Sequence, residues 1–135
     1  MIRLALLIAA IAILGAEPQR VVLMQELIRL EAMEKRTVVM FPLEQQGAQI
    51  EVKFDSKRGG EGVRASVYAK GYTQALAGTA YELAGALKAP LEREREYRVE
   101  VENLRQRLGH ALVDLEVTLI FGARPGDTPP ATATT

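Results

Sequence analysis

The sequence contains no cysteine and no tryptophan, and it has a single histidine, His110. Without cysteine there are no disulfides, no thiol nucleophile and no thiolate zinc site. One histidine cannot build a multi-histidine metal centre, and His110 follows Gly109 in what reads as a turn. That is the place of a surface side chain or a helix C-terminal cap, not of a catalytic base. Serine is scarce too: neither Ser56 nor Ser66 sits in a G-x-S-x-G elbow or an S-x-x-K motif. Nothing here points to a catalytic residue, a metal or a cofactor, and the expectation is a protein that is not an enzyme.

An excess of charge of one sign is also missing, since 17 basic side chains face 17 acidic ones. That balance gives no pull toward nucleic acid. The acidic residues Glu92, Glu94, Glu96, Glu100 and Glu102 are interleaved with Arg93, Arg95 and Arg98. The alternation of sign reads as a solvated, charge-balanced face, not as a pair of catalytic carboxylates.

Long hydrophobic runs are limited to one. Residues 4–14 ("LALLIAAIAIL") carry no polar side chain and follow Arg3, the charged-then-apolar order of a secretion signal. As a helix, residues 4–16 would extend only about 20 Å, against a hydrocarbon core of about 30 Å. Residues 1–16 are therefore expected to be a signal peptide cleaved after Ala16, or else a short membrane anchor that makes the chain's only membrane contact. The protein is placed in the periplasm, outside the cell or anchored at the membrane. Removing residues 1–16 leaves a domain of ordinary size, residues 17–122, that must be held by packing alone.

Within that domain, Leu23, Leu27 and Leu30 recur at helical spacing, with Met24 and Ile28 beside them, which predicts an amphipathic helix over residues 19–35. "TVVMFPL" (37–43) predicts a strand that Pro42 places at an edge or near its end. Ile50, Val52 and Phe54 alternate with polar residues, as do Val63, Ala65, Val67 and Ala69. With the glycine-rich "DSKRGGEG" between them, the two runs predict a hairpin with a long tip. Residues 72–88, with Leu76, Ala80, Leu83 and Leu87 on one face, read as a slim Ala/Gly-rich helix. Residues 91–109 fit either a helix or a strand at 95–102 followed by a short helical turn, and the strand is favoured because a helix would leave Val99 among charges. "LVDLEVTLIF" alternates over its length, and Ile120 on its polar side implies that both faces are covered there. The expected fold is a single α+β domain: an antiparallel sheet of four to five strands with an N-terminal amphipathic helix and a central Ala/Gly-rich helix. Residues 123–135, rich in proline and threonine, are expected to be a disordered tail.

The loop 56–62 is basic and glycine-paired, but it lacks the phosphate-binding G-x-x-x-x-G-K-[ST] pattern. What it offers is partner binding through Lys57 and Arg58, flanked by Tyr68 and Tyr72. The function expected is that of a small exported, non-enzymatic cell-envelope domain that binds a protein, lipid or glycan. The alternative is a structural subunit of an envelope, pilus-like or virion assembly, which would keep its leader, form oligomers and offer an edge strand for pairing between chains.

Overall fold

The computed structural model describes residues 2–3, 18–44, 47–58, 61–92 and 95–122. Among the described residues nine strands run in chain order: β1 (Ile2–Arg3), β2 (Gln19–Leu30), β3 (Lys35–Leu43), β4 (Ala48–Arg58), β5 (Arg64–Ala69), β6 (Ala77–Gly78), β7 (Ala84–Leu91), β8 (Arg95–Glu102) and β9 (Ala111–Phe121). They form two sheets, sheet A in the order β1-β3-β8-β5-β6 and sheet B in the order β2-β9-β4-β7. Apart from the two-residue β1, which pairs parallel with β3 at Val39 and Met40, each sheet is four antiparallel strands.

The expected α+β class is thus corrected to all-β, with no helix among the described residues. Residues 19–30 are a strand because β2 carries a bulge between Val22 and Met24. The bulge buries Leu23 and Met24 side by side, after which Ile28 and Leu30 point inward and Leu27 outward. A strand with one parity break mimics helical spacing. Residues 72–88 are also not a helix: Leu76 and Leu83 are exposed, and the segment is a turn, the short β6 and the start of β7. In β7 the inward row is Leu87, Ala89 and Leu91.

The β4–β5 hairpin is corrected as well. β4 belongs to sheet B and β5 to sheet A, so the chain between them crosses from one sheet to the other. The strand at 95–102 stands, but residues 103–110 form turns without a helix. β3 and β9 match their patterns, and Ile120 is buried. Residue 1 and residues 4–16 of the expected leader, residues 59–60 of the basic loop and the expected tail at 123–135 lie outside the described residues.

One core joins the two sheets. Sheet A contributes Val39, Phe41, Val67, Tyr97, Val99 and Val101, and sheet B contributes Ile50, Val52, Val113, Leu115, Val117, Leu119 and Phe121. Period-two alternation on each strand places these side chains on the inner faces, the arrangement of a sandwich.

The crossing from β4 to β5 depends on Gly62. Its φ is +81°, and a Cβ there would sit 2.8 Å from the backbone of Glu82, which bridges to Val63 beside it. Gly47 has a similar φ of +78° with open space around its would-be Cβ. Gly47→Ala should therefore cost only the conformational penalty, about 1 kcal/mol. Gly62→Ala adds a backbone clash and should cost roughly 1–3 kcal/mol more. Urea denaturation of the two variants checks this; equal losses would show that the Glu82 contact is not limiting.

Candidate functional site: a tyrosine and arginine face

Alternation along β8 turns Tyr97, Val99 and Val101 into the core and leaves Glu96, Arg98, Glu100 and Glu102 on the outer face of sheet A. Pairing with β3 and β5 then sets cross-strand rows: Lys35, Glu102 and Arg64 in one, Thr37, Glu100 and Ser66 in the next, and Met40, Arg98 and Tyr68 in the third. Arg98 Nε donates to Glu100 Oε2 at 2.7 Å, and Lys35 Nζ lies 3.3 Å from Glu100 Oε1. The hydrogen bond and charge of Glu100 push the Lys35 ammonium above its ordinary pKa. Glu100 and Glu102 are each only 7% exposed. This corrects the expectation of a solvated face: β8 is flanked on both sides, and the long side chains of its neighbours lie over its outward residues.

Three of the four tyrosines meet a guanidinium here. Tyr68, 8% exposed, lies under Arg98 at 4.4 Å from Cζ to ring centroid and beside Lys35 at 5.8 Å. Tyr81 lies under Arg105 at 4.5 Å and donates its hydroxyl to Glu102 Oε1 at 3.1 Å. Burial and the Glu102 carboxylate raise the pKa of that hydroxyl. Tyr72, exposed at the turn after β5, faces Arg95 at 5.7 Å, and its carbonyl accepts from Arg98 Nη2 at 3.3 Å. Each cation–π contact contributes about 0.5–2 kcal/mol, more where water is excluded. The fourth, Tyr97, points inward, stacks on Phe41 at 5.8 Å and bonds through its hydroxyl to the backbone of Glu92.

The structure brings Tyr68 and Tyr72 together through Arg98 but places Lys57 elsewhere. Lys57 is on the outer face of sheet B, with its ammonium 2.9 Å from Asp55 Oδ2 and 3.7 Å from Asp114 Oδ2. It borders a shallow groove of about 430 Å³ across β2, β9 and β4, lined by Leu27, Lys53, Asp55, Asp114 and Glu116 among others. The backbone of Arg58 ends β4 opposite Leu112. Reading the sequence missed Arg98, Glu102, Tyr81 and Arg105. The pairing of β8 with both neighbours, which no local pattern encodes, is what unites them.

At the end of sheet A nearest Arg105, two loops are tied to each other. Asn103, the chain's only asparagine and fully buried, donates from Nδ2 to the Glu31 carbonyl at 3.0 Å and from its backbone N–H to the Glu34 carbonyl at 2.7 Å. The Met33 N–H is shared between the carbonyls of Asn103 and Gln106 at 3.0 and 3.1 Å. Gln106 Nε2 closes the second loop on the carbonyls of Leu108 and His110. Glu34 joins in, accepting from Arg36 at 2.8 Å and from the Glu31 N–H at 2.7 Å. Among the described residues no three metal-ligating side chains converge. This end and the tyrosine face are joined through Arg105, which lies over Tyr81.

Two outcomes follow. Arg98→Ala removes one of the two cations on a buried carboxylate and the lid on Tyr68, and should cost about 1–3 kcal/mol in thermal or urea denaturation. The Arg36 hydrogen bond holds the Glu34 carboxyl below its usual pKa of 4.5, so its contribution is complete above about pH 4.5 and is lost as the pH falls through the folded value. Glu34→Gln should flatten the fall in stability between about pH 5 and pH 3; an unchanged acid limb would show that Glu34 does not carry it.

No protein-family model matches this sequence, and no curated protein matches it. Among solved structures, the chain is similar to PliG, a periplasmic lysozyme inhibitor of g-type lysozyme from Aeromonas hydrophila, with a TM-score of 0.50 and 15% identity over 87% of this chain and 96% of that one. It also overlaps the pre-peptidase C-terminal domain of a collagenase from Bacillus anthracis, with a TM-score of 0.39 and 11% identity over 70% of this chain and 88% of that one. The first likeness shows a shared fold: this chain is built on the same β architecture as a periplasmic protein that is an inhibitor, not an enzyme.

Proposed function

We propose that this chain is an exported, non-enzymatic domain that binds a protein partner through the tyrosine and arginine face of sheet A. The observation that carries the proposal is that face: Tyr68, Tyr72 and Tyr81, each set against an arginine, on one side of the sandwich. Tyrosine and arginine are the residue types that most often dominate the energy of protein interfaces. A protein is favoured over a lipid or glycan because Glu100 and Glu102 are covered from within the face, by Arg98, Lys35 and the Tyr81 hydroxyl. That leaves no strong field of one sign for head groups. The apolar leader of the sequence supports export, and the periplasm is the location proposed.

Fold alone does not assign a partner. The structural neighbour nevertheless names the first one to test, a g-type lysozyme. The protein should bind that enzyme in calorimetry and slow its digestion of peptidoglycan stoichiometrically. A double variant, Tyr72→Ala with Arg105→Ala, should weaken binding by about tenfold to a hundredfold, or about 1.4–2.8 kcal/mol. Absence of both binding and inhibition would remove lysozyme as the partner, and full affinity in the double variant would remove this face as the site.

A second reading, a subunit of an assembly, is favoured by one observation. The outer edge of β3 takes an added strand, Ile2–Arg3, at Val39 and Met40. That reading requires oligomers in size-exclusion chromatography at micromolar concentration.

A further inference from the structure

We infer that the tip built from the Glu31–Glu34 turn and the Asn103–His110 loop is the part of the surface that enters the partner. Leu108 acts as an apolar plug, and Arg105 and Arg107 meet carboxylates at the rim of an apolar pocket. This rests on the protein-binding reading and names the chemistry that the partner must present.

The first support is exposure. Leu108 is 87% exposed, more than any other large apolar side chain described, and Met33 in the neighbouring turn is 54% exposed. Single exposed leucines are ordinary on protein surfaces. These two sit on loops tied to each other by the Met33 N–H and by both nitrogens of Asn103. Gln106 further fixes the carbonyl of Leu108 itself at 3.0 Å. A plug held this way loses little freedom on binding.

Charge is the second support. Arg20, Arg29, Arg36, Arg95 and Arg98 on the strands each face a carboxylate within 3.0 Å. Arg105 and Arg107 make no ion pair with a described carboxylate, and both are exposed. Glu31 and Glu34, the acidic residues of the same tip, are already taken by Arg29 and Arg36. The tip therefore presents uncompensated positive charge beside a leucine, and its complement is an apolar pocket with an acidic rim. The third support is continuity: Arg105 lies over Tyr81, so the tip is joined to the face already described.

The test uses the full-length protein in the cells that produce it, with a photoreactive leucine analogue at position 108, at 72 or, as a control off the tip, at 74. Position 108 should cross-link to a protein segment in which apolar residues stand next to aspartate or glutamate. With that captured protein purified, Leu108→Asp should lose at least tenfold in affinity with unchanged melting temperature, and the double variant Arg105→Glu with Arg107→Glu should lose at least tenfold while staying folded, its melting temperature lowered by loss of the Arg105–Tyr81 contact. Leu108 makes no core contact, so both variants are expected to fold. Cross-links from 72 but none from 108, or Leu108→Asp binding like the native protein, would overturn the tip while leaving protein binding through the face intact. A captured segment without acidic neighbours would overturn the chemistry assigned to the pocket. No cross-link from either position would overturn both readings.

Discussion

A sandwich without a disulfide depends on the dry seam between its two central strands. β8 has β3 and β5 on its sides, and β9 has β2 and β4, so the backbone groups of both are satisfied within the sheets. Their inward rows, Tyr97, Val99 and Val101 against Val113, Leu115, Val117, Leu119 and Phe121, are almost entirely removed from water. Truncating one such side chain costs about 2–5 kcal/mol, a large share of the stability of a small domain. With the centre fixed, the periphery is free to be irregular. β6 has only two residues, β2 is bulged, and β7 carries alanine, glycine, proline and a single lysine around three inward side chains. Short, bulged or proline-bearing edges also resist unwanted pairing with other chains.

The two outer faces use charge differently. On sheet B, Arg20 of β2 reaches across β9 to Glu51 of β4 at 2.9 Å, and Lys88 of β7 lies 3.8 Å from the other oxygen of the same carboxylate. Arg20 pairs in register with Ile120, so its stem passes beside that residue and helps keep an outward isoleucine dry. Exposed ion pairs contribute only about 0–1 kcal/mol, and the larger gain is the apolar surface the arginine stem covers. On sheet A three guanidinium groups lie over tyrosine rings, at 4.4–5.7 Å from their centroids. Arg98 there is also held by Glu100, so its contact with Tyr68 is fixed from within the sheet.

Alternation made β4, β5, β8 and β9 legible, and β3 was read from its apolar run before Pro42 despite the bulge between Thr37 and Val39. Each failure had a physical source. In β2 the bulge at Val22/Met24 and an outward Leu27 turned a period of two into an apparent helical stripe. In residues 72–88, alanine and glycine carry too little side chain to show a period, and Leu76 and Leu83 suggested a buried stripe although both are exposed. The basic loop after β4 looked like a hairpin tip because hairpin and inter-sheet crossing demand the same turn residues. Of the candidate site, Tyr68 was legible as an aromatic on the outer side of its strand, whereas the partners of Tyr81 depend on the pairing of distant strands. The buried state of Glu100 and Glu102 was hidden for the same reason, since β8 alone does not reveal that it is central.

The turn at Met33 is tied to the core through backbone geometry. Met33 holds a φ of +63°, a left-handed conformation that costs a side-chain-bearing residue about 1–2 kcal/mol. Such strain persists only where the surroundings over-determine it. Here the Met33 N–H has two acceptors, and Asn103 anchors the turn from the opposite loop. Asn103 follows directly on Glu102, the last residue of β8, and the loop it starts ends at Ala111, the first residue of β9. β8 and β9 thus also fix both ends of the loop that carries the exposed Leu108. Asn103 is thus the point at which the two loops depend on the core: it is fully buried and bonds to the Glu31 and Glu34 carbonyls, while Gln106, three residues on, holds the carbonyl of the exposed Leu108.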